Sequence, residues 1–126
     1  MTEFHSSHPI YLQLAERINE QILRGERKPG DKLPSVREMA IQVKVNQNTV
    51  QRTYRELEGI GTVETRRGQG TFVTENTGIL NQMRERLKQE KISQFVQGMQ
   101  AMGFSNQEIE NGLQIFLRHN EGDAKP

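Results

Sequence analysis

Asn46, Gln47, Asn48, Thr49, Gln51, Arg52 and Arg55 crowd amides, a hydroxyl and guanidinium groups into one short run. These are the side chains that hydrogen-bond base edges and phosphates in a DNA major groove. Amides match the N6/N7 edge of adenine, and arginine matches the O6/N7 edge of guanine. Val50, Tyr54 and Leu57 recur in the same run at spacings of four and three, which sets them on one helical face. Asn48, Arg52 and Arg55 lie opposite them. A solvated amphipathic helix would show the same pattern, so the neighbouring elements decide between the two readings.

The stretch just before it is organised to present it. Ser35-Val36-Arg37-Glu38 is a capping box, in which Ser35 and Glu38 each satisfy the other's end of a first helical turn. A short helix from Ser35 to Val43, with Val36, Met39, Ala40 and Val43 on its inner face, then meets the turn Lys44-Val45-Asn46. Asn46 is suited to cap the next helix, which ends near Gly59 and Gly61. Two short helices joined in this way make a helix-turn-helix, whose second member enters the major groove. Upstream, Pro9 opens a first helix to Arg24 with an apolar stripe of Ile10, Leu14, Ile18 and Ile22. Residues 26–34 read as a loop around Pro29-Gly30 and Pro34.

Downstream, Thr62–Arg66 and Thr71–Thr74 flank a glycine-bearing turn, which predicts a hairpin. Its tip carries Arg66 and Arg67, followed by Gly68, Gln69 and Gly70, and reads as free of adjacent acid. Flanking phosphates or a narrow minor groove would attract those arginines. Three helices and such a wing make a winged helix-turn-helix over residues 9–75. The fold class expected is mainly α with a small β-hairpin.

From Asn76 the character changes. Leu80, Met83, Leu87, Ile92, Phe95, Val96 and Met99 recur at helical spacing up to Gly103. Ser105–Glu108 is a second capping box, and Ile109, Leu113, Phe116 and Leu117 form a shorter stripe to about Arg118. A lone helical hairpin over 76–119 has too little core to stand alone, so a homodimer through these residues is expected. Met39, Met83, Met99 and Met102 read as core filling rather than an effector pocket. Whether a small-molecule effector binds stays open. Residues 1–8 and 120–126 are polar and expected to be disordered or frayed.

Composition is consistent with this plan. The chain has 126 residues, 33% of them apolar, no Trp and a net charge of only +1. One large core is therefore not expected, and basicity must be read locally: Lys44 to Gly70 holds five basic and three acidic residues. The absence of cysteine excludes disulfides and thiolate metal sites. No signal peptide or membrane-length apolar run is visible, so a cytoplasmic protein without a membrane partner is expected. His5, His8 and His119 sit apart at the two tails, so no metal, cofactor or catalytic triad is indicated, and an enzyme is not expected.

Three of these motifs carry a family resemblance. Leu33–Ala40, Val45–Glu58 and Gly68–Val73, with Pro9-Ile10-Tyr11 opening the first helix, resemble the GntR family of bacterial transcriptional regulators. The short segment after the wing looks like its YtrA subfamily. The resemblance implies a dimeric repressor of a double-stranded DNA operator, often of an ABC-transporter operon. It also implies DNA contact by Arg37 and by the first-turn residues Gln47, Asn48, Thr49 and Gln51. Gln47 departs from the family, where many members have proline. Lys32 and Lys44 are expected on phosphates; Arg52 and Arg55 fit phosphate contacts too, or for Arg55 a solvated charge. Thr49 is either a hydroxyl contact or a cap. Ser35, Asn46, Arg66, Arg67, Gly68 and Gln69 complete the DNA-facing set. A winged-helix protein–protein module is the competing reading.

Overall fold

The structure, a computed structural model, describes residues 4–5 and 7–124; the side chains of 121–124 are not described. The rest of the expected disordered termini lies outside these residues. The element order is α1 (Ile10–Leu23), α2 (Val36–Val43), α3 (Gln47–Ile60), β1 (Val63–Arg66), β2 (Gly70–Val73), α4 (Thr77–Ala101) and α5 (Asn106–Ala124). The chain divides into two units, residues 1–84 and 85–126.

The first unit is built on α3. Val50 and Leu57 are fully buried, and Thr53 and Tyr54 join them on the inner face. Helices α1 and α2 both pack against α3, α1 through Leu14, Ala15, Ile18 and Ile22 and α2 through Met39, Ala40 and Val43. Two long-range hydrogen bonds fix α3 further. The Thr53 hydroxyl donates to the Tyr11 carbonyl at 3.0 Å, and the Tyr54 hydroxyl to the Pro34 carbonyl at 2.7 Å. Burial pushes the Tyr54 phenol up to about 12, so it stays a neutral donor at physiological pH.

The capping box forms as expected: Ser35 accepts from the Glu38 N–H, and Glu38 accepts from the Ser35 N–H. Lys44 makes the turn between α2 and α3 with φ 58°, in the left-handed region that L-residues occupy at a cost of about 1 kcal/mol or more. Helix α3 runs through Gly59 and stops at Gly61, whose φ of 87° serves as a left-handed cap.

Strands β1 and β2 pair antiparallel, Val63 with Val73 and Arg66 with Gly70. The upstream loop proves more regular than its proline and glycine suggest. Lys32 bridges to Phe72, the Leu33 N–H donates to the Thr71 carbonyl at 2.8 Å, and the Val73 N–H to the Asp31 carbonyl at 2.8 Å. The outer edge of β2 is thereby covered, and the wing is tied to the segment leading into α2.

The start of the chain is also tied down where it is described. Gln13, buried in α1, donates to the carbonyls of His5 and His8 and accepts from the His5 N–H, so those backbone groups have protein partners. In α4, Asn76 caps the first turn, and Ile79 lies where a Cβ on Gly61 would meet it at 3.4 Å. Met83 is buried and Leu80 half-buried, so the first turns of α4 belong to the winged unit.

The second unit keeps its helices but not a closed hairpin. α4 ends in a glycine turn with Gly103 at φ 90°, and Ser105 and Glu108 form the second capping box. Little contact joins α4 to α5. Ile109 is buried, whereas Ile92, Phe95, Leu113, Phe116 and Leu117 are all exposed. α5 also continues past Arg118 to Ala124, beyond its apolar stripe. The core-filling reading of the methionines holds for Met39 and Met83; Met99 is half-buried, and Met102 is 69% exposed in the inter-helix turn.

Candidate nucleic-acid interface

Backbone geometry sets out the polar turn. The Asn46 side-chain oxygen accepts from the Asn48 N–H at 2.7 Å, which starts α3 and orients its first turn. Asn46 is thus a cap first, with only its amide NH2 left over. Gln47, Asn48, Gln51 and Arg55 are exposed, as is Arg37 on α2. Thr49 is half-buried, and its N–H donates to the Asn46 carbonyl at 3.0 Å; the side chain that caps the helix is that of Asn46. No large exposed hydrophobic side chain among the described residues lies on α3.

Arg52 is exposed but not loose. Its guanidinium carbon sits 4.0 Å from the centroid of the Tyr11 ring. The stack orients the group while leaving its N–H donors at the rim free. Pro9, Ile10, Tyr11, Asn48, Thr49 and Arg52 line one open cleft, so the start of α1 borders the first turn of α3. Tyr11 was not among the residues singled out by type. Its signal in the sequence is its place in Pro9-Ile10-Tyr11, the opening of the first helix that the family resemblance includes.

Ser35 is used in the capping box, where its hydroxyl oxygen accepts from the Glu38 N–H. The hydrogen bonds from Ser35, with Lys32 nearby, hold the Glu38 carboxyl below its usual range. Lys32 is exposed and reaches along the wing: a Cβ on Gly70 would lie 2.8 Å from its Cε. Gly70 itself has φ 122°, so any other residue there is strained as well as crowded. Lys44 is exposed at the helix-turn-helix corner.

At the tip, the Gln69 N–H donates to the Arg66 carbonyl at 2.9 Å, with Gly68 at φ 75° in the position that a type II turn reserves for glycine. Arg67, Gly68 and Gln69 are exposed. The reading of the tip as free of adjacent acid is corrected here. Arg66 pairs with Glu64 at 3.2 Å and lies 4.2 Å over the Phe72 ring. Residues two apart on a strand share a face, which brings Glu64 beside Arg66. Of the expected dimerisation residues, Met83 and Ile109 are buried within the chain, Leu80, Leu87, Val96 and Met99 are half-buried, and Ile92, Phe95, Leu113, Phe116 and Leu117 are exposed.

Among the described residues no cluster of histidines and carboxylates could hold a metal ion, and no helix is long and apolar enough to cross a membrane. What the first unit offers is an exposed amide-and-arginine turn flanked by a cationic wing.

The chain is similar to known proteins in sequence and in fold. The family of bacterial regulatory proteins called gntR matches residues 10–73, just over half of the chain. The transcriptional regulator YhcF of Bacillus subtilis is 52% identical over 114 residues, covering 90% of this chain and 94% of its own. The transcriptional repressor YtrA of the same organism is 48% identical over 90 residues, covering 67% and 69%. A GntR family transcriptional regulator from Listeria monocytogenes superposes with a TM-score of 0.83 at 34% identity, covering 88% of this chain and 97% of its own. The chain belongs to the GntR family of DNA-binding transcription regulators, close to YhcF and YtrA, and is not an enzyme.

Proposed function

We propose that this chain is a homodimeric repressor that grips a two-fold symmetric double-stranded operator, one recognition helix per half-site. The first turn of α3 reads bases in the major groove through Gln47, Asn48 and Gln51, with Thr49 at its edge and Arg37 beside it from α2. Lys32, Ser35, Lys44 and Arg52 grip phosphates, and the wing residues Arg66, Arg67, Gly68 and Gln69 follow the flanking backbone or minor groove. The exposed apolar faces of α4 and α5 join two copies. Repression is supported by the likeness to YtrA, itself named a transcriptional repressor. An operon for an ABC-type transporter is the target class the family resemblance implies, and the cytoplasm is where such a regulator works.

The observation that carries DNA reading over a protein–protein module is the make-up of the exposed face of α3. It offers amides and guanidinium groups and no large exposed apolar anchor, whereas a protein-binding face is centred on aromatic or aliphatic anchors. Arg37→Ala tests the reading. Loss of one base or phosphate contact weakens specific binding by about 1–3 kcal/mol, and an exposed residue leaves the thermal midpoint unchanged. Equal affinity of the two proteins in a gel-shift titration would remove Arg37 from the site.

A further inference from the structure

The wing's two arginines stand in different surroundings. Arg67 is exposed and has no acidic partner among the described residues. Arg66 is held from two sides, its Nη2 3.2 Å from the Glu64 carboxylate and its guanidinium carbon 4.2 Å over the Phe72 ring. The strand register makes this arrangement possible. Glu64 pairs with Phe72 and Arg66 with Gly70, which has no side chain; the Lys32 chain lies where a Gly70 Cβ would be, and Arg66 leans back across the ladder to Phe72. Phe72 is fixed in turn by its bridge to Lys32.

We propose that Glu64 is a positioning residue that sets the wing's specificity, holding Arg66 in one direction and penalising its contact with an arbitrary phosphate. The proposal rests on the reading that the wing meets DNA. Binding to unrelated DNA draws its affinity from phosphate contacts. Arg67 can follow any phosphate. Arg66 can turn fully to a phosphate only by giving up its contact with Glu64, whose carboxylate then faces a polyanion unpaired. On the right site the groove meets Arg66 in the orientation it already has, and little is lost in reaching it. One acid beside one arginine therefore lowers indiscriminate affinity while it preserves the specific contact.

The test is fluorescence anisotropy with the full-length chain on two duplexes: the upstream DNA of its own gene and a scrambled duplex of equal composition. Wild type, Glu64→Gln, Arg66→Ala and the double variant are compared over a salt series. Glu64→Gln is expected to strengthen scrambled-duplex binding by about two- to fivefold, the scale of an exposed ion pair. Its salt dependence steepens toward one further phosphate, a slope change of up to about 0.9. Binding to the upstream DNA is expected to weaken, and both effects should vanish in the Arg66→Ala background. A merely structural role would not strengthen binding to scrambled DNA. Equal strengthening on both duplexes, no change on either, or effects that persist without Arg66 would overturn the role of Glu64 while leaving wing contact standing. If Arg66→Ala alone changes neither affinity nor salt slope, wing contact by Arg66 falls and the role of Glu64 falls with it.

Discussion

The double variant Phe95→Glu, Phe116→Glu will be a monomer and will lose operator affinity by about two to four orders of magnitude, the scale on which two linked sites exceed one. The expectation comes from what the second unit leaves uncovered. Phe95 and Phe116 are 43% and 58% exposed, with Ile92, Leu113 and Leu117 also open. Two-fold pairing of the same surfaces is the commonest way to cover such faces. Each phenylalanine buried in that way contributes roughly 1.5–3 kcal/mol, whereas an unpaired carboxylate in the same place costs several. Sedimentation should give the mass of one chain. The thermal midpoint of the winged unit should hold, because neither residue lies in it. A variant that stays dimeric would place the interface elsewhere.

The second large effect is expected at Leu57→Ala. Leu57 is fully buried on the inner face of α3, and its carbonyl accepts from Gly61 and Thr62 where the helix turns into the wing. Truncating a buried leucine costs about 2–5 kcal/mol, a large share of the 5–15 kcal/mol typical of a domain. At about 3 kcal/mol the melting midpoint of a unit this size falls by roughly 12–24 °C. Calorimetry measures it directly. A shift of only one or two degrees would mean that α3 is not the element on which the winged unit is packed.

Leu57, Phe95 and Phe116 also mark which features of the fold are legible in the sequence and which are not. The inner face of α3, both capping boxes, the Asn46 cap and the hairpin around Gly68 follow from local rules, in which a residue's partner lies within four positions. Each appears where its spacing put it. The contacts that orient the DNA-facing side chains are of another kind. Tyr54 reaches Pro34 across 20 positions and Thr53 reaches Tyr11 across 42. Arg52 finds Tyr11 only because α1 packs on α3. Lys32 joins the wing through a single bridge that the flanking glycine and proline disguise. Glu64 was countable as a nearby acid, but its pairing with Arg66 requires the strand face, and the place of Phe72 beneath requires the register. Helical periodicity in α4 likewise identified apolar positions without dividing those spent inside the chain, such as Met83, from those left open, such as Phe95.

We propose that the first turn of α3, presented twice by a dimer, reads a two-fold DNA site. Hydroxyl-radical footprinting of the intact protein on the DNA upstream of its own gene tests it most directly. Two protected patches related by a two-fold axis are expected, their centres about 10–10.5 base pairs or a multiple of that apart, with flanking protection from the wings. Absence of protection at low salt, or protection with no symmetric pattern, would contradict it.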